Sequence, residues 1–411
     1  MKKYVIIIPN IGNMGGGQMY VRNKMLWLRK NGWKVDIVYC TAENVVLSEL
    51  NNVGKQILDI EFSYYFTPKC RRKHIIDEMY EYLYEEKADE YIIETTSIPC
   101  ATWGEVLALS LGAKHFVYLI NESNVLDTNK CFDFLYFKHG RKELASITNT
   151  SLQQMFERYV SIPVEKSYSL SACCINVVED CDNSFCEIIN EQKVDYVLGC
   201  LGRLDKPFIF PMLSQLNEYI MSHENKQFLL LMIGGAPIGS KIDKEVHKIF
   251  ANIGNVKLIL TGYMFPVSRK LISMCDVFIS SAGSAWATVK EGIPTISMDG
   301  NDYLPIGVLG RTTNSSLFRS DEELPLSLSD LLDDILFNKI YKKDISVVDS
   351  EPEFDDHLNF VRSGTKDRLY YDMNSIKLAI TEQFFLKVGL LTLGAKGYCK
   401  LSNLKSKFKI Q

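Results

Sequence analysis

Residues 275–300, CDVFISSAGSAWATVKEGIPTISMDG, decide the fold predicted for this chain. The segment comprises an apolar strand over Val277–Ile279, a turn of small residues, a helix starting at Ser284 and a second strand over Thr295–Met298. The Gly-Ile-Pro sequence before the second strand is typical of a helix stop. A helix that begins directly after a strand directs unpaired N–H groups and its positive dipole end at the turn, so the segment predicts an anion site there.

The same alternation of strand, turn and helix occurs throughout the chain. Near the N-terminus, an apolar strand over Tyr4–Ile8 is followed by the loop NIGNMGGGQ, a helix over about Gln18–Asn31 and a strand over Val35–Tyr39. A second alternating series begins with the strand Tyr196–Leu201, and turns that contain glycine follow its strands. Both series predict doubly wound, parallel α/β domains, in which ligands bind at the carboxyl ends of the strands.

The length of 411 residues favours two domains. Residues 1–178 are predicted to form the N-terminal domain and residues 193–365 the C-terminal domain. The acidic and polar segment 179–192 is interpreted as the linker between them, and residues 366–411 as a helical, basic tail.

The composition narrows the class of protein. Hydrophobic residues make up 46% of the chain and charged residues 23%, which is typical of a soluble globular protein. The formal net charge of −4 argues against a nucleic-acid partner. Eleven cysteines without a regular framework are typical of a reducing compartment, and no segment reaches the roughly 20 apolar residues of a membrane span, so a cytoplasmic location is expected.

Five motifs, in order along the chain, carry a resemblance to a known family. They are GGGQMYVRNKMLWLRKNGWKVDIVY, LGRLDKP, FLLLMIGGAP, VKLILTGY and CDVFISSAGSAWATVKEGIPTIS. The sequence resembles GT-B-fold glycosyltransferases, and most of all the family-4-type bacterial enzymes that build surface polysaccharides such as capsule. The resemblance implies two Rossmann-like domains facing a cleft and a hexosyltransferase-type activity. It also implies a nucleotide-diphosphate sugar as donor, a glycan or polyprenyl-linked acceptor, and no metal or other cofactor.

The residues of the second domain supply chemistry for a diphosphate. Arg203 offers a fork of N–H donors for phosphate oxygens and Lys206 a point charge, and the family holds the diphosphate with an Arg and a Lys in this turn. Ser281, Gly283 and Ser284 would add amides and hydroxyls from the helix start. The competing interpretations are solvated loop cations for the first pair and an ordinary helix N-cap for the serines.

Three further groups complete the predicted donor and acceptor sites. The glycines Gly15, Gly16 and Gly17 would approach the donor from the first domain, or form a flexible turn. Gly262 and Tyr263 fall where the family places the nucleotide base, and the tyrosine ring would stack on the base or pack in the fold. Glu122, after the strand VYLI, is interpreted as a general base for an acceptor hydroxyl or as an exposed loop carboxylate; Asn121 stands where related enzymes often have His.

Two carboxylates typical of the family are missing. Family-4-type retaining enzymes carry a Glu-x7-Glu motif, whose two positions correspond here to Ile279 and Ala287. Glu291, one residue before the helix stop, is not expected to reach the ribose. The stereochemical course therefore stays open between retention and inversion. A non-catalytic GT-B partner or scaffold subunit and a sugar-nucleotide epimerase of similar fold stay open as alternative functions.

Two charged segments invite other interpretations. Asp299 and Asp302 are interpreted as turn residues in preference to metal ligands. The tail over Lys387–Gln411 carries six lysines and no acid, interleaved with apolar residues. It predicts contact with an anionic membrane surface, and hence a peripheral position at the inner face of the cell membrane, or else a solvated basic tail.

Overall fold

The computed structural model describes residues 1–121, 131–162, 168–181, 183–237, 239–344, 352–376 and 380–409. The chain divides into two compact units. The first consists of Met1–Cys173 together with Pro352–Gln411, and the second of Cys174–Glu351.

The first unit is built on a parallel sheet of six strands. In chain order these are β1 (Lys2–Asn10), β2 (Trp33–Thr41), β3 (Lys55–Gln56), β4 (Glu90–Thr95), β5 (Lys114–Leu119) and β6 (Leu144–Ser146). Their order across the sheet is β3-β2-β1-β4-β5-β6, with parallel pairing throughout. The core of β1, Tyr4–Ile8, is buried, as its continuous apolar run predicts for a central strand covered on both faces.

Five α-helices of this unit lie within the described residues before position 173. They are α1 (Gly16–Lys30), α2 (Lys69–Leu83), α3 (Ile98–Leu111), α4 (Phe132–Gly140) and α5 (Asn149–Phe156). The apolar residues of 57–60 predict a strand, and this prediction was wrong, because residues Leu58–Glu61 form a 3-10 helix that follows the two-residue strand β3. The apolar side chains of Ile57 and Ile60 are buried in the core, but they reach it from this helical turn and not from a strand of the sheet.

The second unit repeats the architecture with one antiparallel edge strand. Its strands are β7 (Val178–Glu179), β8 (Tyr196–Leu201), β9 (Phe228–Ile233), β10 (Val256–Leu260), β11 (Val267–Ser268), β12 (Val277–Ser280), β13 (Thr295–Met298) and β14 (Pro305–Val308). Six of them form a sheet in the order β10-β9-β8-β12-β13-β14, in which β14 alone runs antiparallel to its neighbour. The helices are α6 (Ser184–Asn190), α7 (Ile209–Ser222), α8 (Ile242–Phe250), α9 (Arg269–Ser273), α10 (Ala282–Lys290) and α11 (Leu328–Leu336).

The segment interpreted as a linker, 179–192, belongs instead to the second unit. Its helix α6 buries Cys186 and Ile189 in the core beside β8 and α9. The short strand β7 pairs in parallel with β11. The segment is polar because only these few side chains face the core, so its composition concealed an ordered helix.

The boundary predicted after residue 365 also needs correction. Residues from Pro352 onward, with α12 (Asp355–Ser363) and α13 (Ile380–Lys409), belong to the first unit. The apolar side chains Phe354 and Phe360 of this returning segment are buried, and the ring of Phe360 lies 5.6 Å from that of Phe116 on β5. The last part of the chain therefore completes the first domain.

A buried charge network holds α12 in place. Glu94 on β4 accepts hydrogen bonds from the Tyr4 hydroxyl, at 2.5 Å, and from Tyr20, and it forms an ion pair with Lys24. The Lys24 ammonium also lies 3.0 Å from Nδ1 of His357 on α12. Burial lowers the pKa of Lys24, although Glu94 opposes this shift. Because all five side chains are buried, each depends on its partners within the network.

A second network anchors the chain beyond α12. Glu105 on α3 accepts from His115 Nδ1 at 2.5 Å, from Lys138 Nζ at 2.9 Å and from the backbone N–H of Tyr371 at 2.7 Å. Although burial alone would raise the pKa of Glu105, Lys138 and then His115 lower it to about 2. The returning segment is therefore joined to the first sheet at two points by buried charges.

No helix among the described residues is long and apolar enough to pass through a bilayer.

We expect Glu94→Gln to lower the free energy of unfolding by about 3–5 kcal/mol, because the Lys24 ammonium would stay buried without its carboxylate. Urea unfolding followed by circular dichroism measures the effect. The matched control is Glu90→Gln on the same strand, which removes a half-exposed pair with Arg362 and should cost less than about 1 kcal/mol. Equal losses in the two variants would contradict the role given to the buried network.

Candidate functional site: the strand-end turns of the second unit

The turns that follow β8 and β9 contact each other through their backbones. Gly202 N–H donates to Ile233 O and Leu204 N–H to Gly235 O, both at 3.0 Å. Gly234 has φ of +152°, and a Cβ on it would lie 1.9 Å from the carbonyl oxygen of Gly202. Only glycine fits at this position, so the two turns hold a fixed distance from each other.

The turn after β10 joins this pair. Gly262, at φ +73°, forms an isolated antiparallel bridge with Gly234. A Cβ on Gly235 would lie 2.5 Å from the ring of Tyr263, so this ring lies directly against the glycine backbone. Burial raises the pKa of the Tyr263 hydroxyl, and the nearby carboxylate of Asp205 raises it further. Tyr263 is therefore packed against the site, with the charged turn after β8 close by.

The start of α10 meets the same turn from β12. The helix begins at Ala282, two residues before the predicted start at Ser284. Ser281 is the N-cap residue, and Ala282 has a φ of +54°. Within the described residues the Ser281 hydroxyl caps no N–H of α10, and it instead lies 3.2 Å from Lys206 Nζ. A Cβ on Gly202 would lie 3.8 Å from Ser284 Oγ, which places Ser284 beside the turn as well.

The predicted cations of this turn differ in setting. Lys206 is directed toward the start of α10, as its contact with Ser281 indicates. Arg203 is about half exposed, and its Nε lies 3.2 Å from a carboxylate oxygen of Asp205. The turn therefore presents an ammonium, a helix N-terminus and two hydroxyls together, with a guanidinium at the rim. Such a set of donors can bind an anion with several oxygens.

Gly283 allows close packing against Cys174, in addition to the backbone amide that it contributes to the start of α10. A Cβ on it would lie 2.7 Å from the carbonyl oxygen of Cys174, so a larger residue would displace the chain where it enters the second unit. The amide of the neighbouring Ala282 donates to Ser316 O at 2.6 Å.

The positions of the missing family carboxylates lie in the core. Ile279 on β12 and Ala287 on α10 are buried among apolar side chains on the two faces of the sheet. Glu291 is the C-cap residue of α10, at the opposite end from Ser281, and pairs with Arg269. The helix α10 therefore contributes its N-terminus, and no carboxylate, to the site.

The two aspartates near β14 stabilise a turn, as predicted. Asp299 accepts from the backbone N–H groups of Asn301, at 2.7 Å, and Arg319, at 2.6 Å. Asp302 accepts from Arg319 Nη1 at 2.8 Å and from the N–H of Leu304 at 3.0 Å. Both carboxylates are thus engaged in turn structure.

The predicted glycines of the first unit lie at the start of α1. Gly15 is its N-cap residue, Gly16 is exposed, and a Cβ on Gly17 would lie 2.9 Å from the side chain of Ile120. The glycine under the strongest steric constraint in this loop is Gly12, because a Cβ there would lie 2.0 Å from the carbonyl oxygen of Glu43. The predicted general base, Glu122, lies outside the described residues.

Sequence reasoning missed several of these contributors. Gly202, Gly234, Gly235 and Asp205 belong to the site but were not selected as site residues. The sequence did carry a signal for them. A glycine directly follows β8 and β9, and another follows β10 after one intervening residue.

Comparison with known proteins identifies the architecture. No protein-family model matches the sequence, and no curated protein matches it either. Among solved structures, HepE from Anabaena in complex with UDP and glucose aligns over 91% of this chain and 96% of its own, at 14% identity and a TM-score of 0.52. A glycosyltransferase from Rickettsia africae aligns over 88% of this chain and 94% of its own, at 15% identity and a TM-score of 0.54.

The lipopolysaccharide outer core galactosyltransferase WaaB aligns over 88% of this chain and 99% of its own, at 13% identity and a TM-score of 0.50. The chain has the GT-B fold. In this GT-B chain both sheets have the same strand order, 3-2-1-4-5-6 within each sheet. The expected fold class is thereby confirmed.

We expect Gly234→Ala to lower the free energy of unfolding by several kcal/mol, because its methyl group would collide with backbone and not with a side chain that can move. The control is Gly262→Ala, at which no atom beyond the glycine and its two chain neighbours lies within 4 Å of the added Cβ. That variant should cost only the strain of a left-handed alanine, about 1–2 kcal/mol. Thermal unfolding of both variants measures the difference, and similar losses would show that the turn contact is not rigid.

Proposed function

We propose that this chain is a glycosyltransferase that moves a sugar from a nucleotide-diphosphate sugar to a glycan acceptor. The observation that carries the proposal is the convergence of Lys206, Ser281 and Ser284 on the N-terminus of α10. Departure of a nucleoside diphosphate develops negative charge on phosphate oxygens. Preorganised cations and helix-terminal amides stabilise such charge at little reorganisation cost.

The proposed donor is a UDP-sugar bound to the second unit. HepE was solved with UDP and glucose, which supports this class of donor in a GT-B fold. Lys206 and Arg203 would bind the diphosphate, with the amides of Gly283 and Ser284 at the helix start. Gly262 and Tyr263 would lie at the nucleotide base. Gly15, Gly16 and Gly17 are proposed to contribute to donor binding from the first unit.

In the proposed reaction, an acceptor hydroxyl oxygen attacks the anomeric carbon and the bond from that carbon to the diphosphate oxygen breaks. The electron pair of the broken bond leaves with the diphosphate. Glu122 is proposed to accept the proton of the hydroxyl. Arg203, Lys206 and the N-terminus of α10 are proposed to stabilise the negative charge of the departing diphosphate without a metal ion.

The proposed acceptor is a glycan, free or linked to a polyprenyl lipid, in the assembly of bacterial surface polysaccharide such as capsule or of a glycolipid. The galactosyltransferase WaaB, which acts on the lipopolysaccharide outer core, supports an acceptor of this class. The proposed place of action is the cytoplasmic face of the cell membrane, where the lysines over 387–411 would meet anionic lipid.

A nucleotide-binding subunit without catalysis is the competing proposal, favoured by the burial of Ile279 and Ala287 at the family's carboxylate positions. Incubation with radiolabelled UDP-sugars and glycan acceptors separates the two. Transfer supports the enzyme, whereas tight UDP binding with no turnover supports the subunit. A changed sugar nucleotide formed without acceptor would instead indicate an epimerase.

We expect Arg203→Ala to weaken UDP binding by about 10- to 100-fold, since a charge-assisted hydrogen bond contributes about 1.5–3 kcal/mol. Isothermal titration calorimetry measures the change. The control is Arg311→Ala, which removes a comparably exposed arginine paired with Asp344 at 3.1 Å. Unchanged affinity in Arg203→Ala would exclude this turn from the donor site.

For Glu122→Gln, turnover should fall by about 100-fold or more while UDP affinity stays within about twofold, because a general base acts on the acceptor proton. Steady-state transfer and calorimetry are measured on the same preparation. Wild-type turnover would remove Glu122 from the mechanism.

A further inference from the structure

Asp205 lies between the two ends of the proposed donor site. The residue before it, Leu204, donates its backbone N–H to Gly235 O at 3.0 Å. Gly235 in turn lies against the ring of Tyr263, at the proposed position of the nucleotide base. The residue after it, Lys206, is directed toward the start of α10, where the diphosphate is proposed to bind. The carboxylate of Asp205 is therefore mounted where the turn after β8 passes from the base end to the diphosphate end.

The order of the strands gives Asp205 the same position. At this part of the sheet the strands run β10-β9-β8-β12. The turn with Tyr263 follows β10, and α10 follows β12. Neighbouring strands are about 4.8 Å apart, so the ends of these two outer strands are roughly 14 Å apart across the sheet. The turn with Asp205 follows β8, which lies between them. In a nucleoside diphosphate the ribose joins the base to the diphosphate, so a nucleotide that reached both ends would have its ribose near Asp205.

The carboxylate of Asp205 is open to a ligand. Its Oδ1 lies 3.2 Å from Arg203 Nε, and its side chain is 28% exposed. Oδ2 accepts no hydrogen bond from the part of the chain that the structure describes. An ionised carboxylate only accepts hydrogen bonds, and it repels phosphate oxygens. Hydroxyl groups are therefore the part of a nucleoside diphosphate that suits it, and an acid that accepts from ribose hydroxyls is a known solution in other nucleotide-binding α/β folds.

A second acid, Asp243, also lies near the base end. Burial is the main cause that raises the pKa of the Tyr263 hydroxyl, Asp205 raises it next, and Asp243, in the first turn of α8, has a smaller effect. Asp243 is exposed and belongs to a helix, not to the turn that carries Arg203. It therefore provides a matched control for the carboxylate of Asp205.

We propose that Asp205 accepts a hydrogen bond from a ribose hydroxyl of the nucleotide donor and makes the site selective for ribonucleotides. This inference rests on the proposed donor site and adds the residue that recognises its sugar. Arg203 can serve both groups, because its Nε faces Asp205 and its remaining N–H groups can donate to phosphate. A nucleotide without ribose hydroxyls would bring its diphosphate to the same turn and leave the carboxylate with no donor, so it should bind more weakly.

Isothermal titration calorimetry with UDP and 2′,3′-dideoxy-UDP tests the proposal. The wild type should bind UDP about 10- to 100-fold more tightly than the dideoxy compound, as expected for one charge-assisted hydrogen bond. In Asp205→Ala this preference should fall to about threefold or less. The ratio of the two affinities isolates the hydroxyl contact, because both ligands carry the same diphosphate and gain equally from removal of a nearby negative charge. Asp205→Asn, which keeps the size and a neutral acceptor, should show an intermediate preference.

The control Asp243→Ala should keep the preference of the wild type. If Asp205 acts only by orienting Arg203, Asp205→Ala will weaken both ligands equally, and the unchanged ratio would overturn the proposal. Equal affinity of the wild type for the two ligands would overturn it as well. Failure of the proposed function has a different signature, since a wild type that binds no UDP would remove the donor site itself and this contact with it.

Discussion

The backbone contact between Gly202 and Gly234 is the constraint on which the candidate site depends. It forces the turns after β8 and β9 into a single arrangement, and the bridge from Gly234 to Gly262 adds the turn after β10. The side chains of these turns therefore have fixed positions, because the backbone that carries them cannot move without breaking these contacts. A site of this kind has its donors in place before any ligand arrives, which is the arrangement that stabilises developing charge at least cost.

Much of the fold could be predicted from the sequence because strand, turn and helix alternate with strong local signals. The continuous apolar run of β1 correctly indicated a buried strand, and the small residues after β12 correctly indicated a change from strand to helix. The domain limits failed because they depend on contacts that no local window contains. Lys24 and His357, for example, are 333 positions apart. The helix α6 was concealed for a different reason, since so few of its side chains are buried.

The site was predicted by position more than by contact. The carboxyl ends of the strands were chosen because that edge of a parallel sheet is where turns leave the core, and the structure brings the turns after β8, β9 and β10 into contact there. The resemblance placed Lys206 and Ser281 on one diphosphate, but no local pattern indicated that they contact each other across 75 positions or that Tyr263 lies against Gly235. The buried setting of Ala287 also gives a physical meaning to the missing carboxylate. Its position belongs to the core, so a carboxylate there would not reach the turns at the N-terminus of α10.

The return of the chain to the first unit has a consequence for biosynthesis. The second unit is one continuous segment, Cys174–Glu351, whereas the first lacks α12 until the ribosome has translated the second. At about 5–20 residues per second, that interval is roughly 10–40 s. During it, the nascent first sheet has Phe116 and Tyr118 without the ring of His357 that later packs on both. The domain that begins first is thus the one that finishes last, and its exposed aromatic surface is a natural target for chaperones during translation.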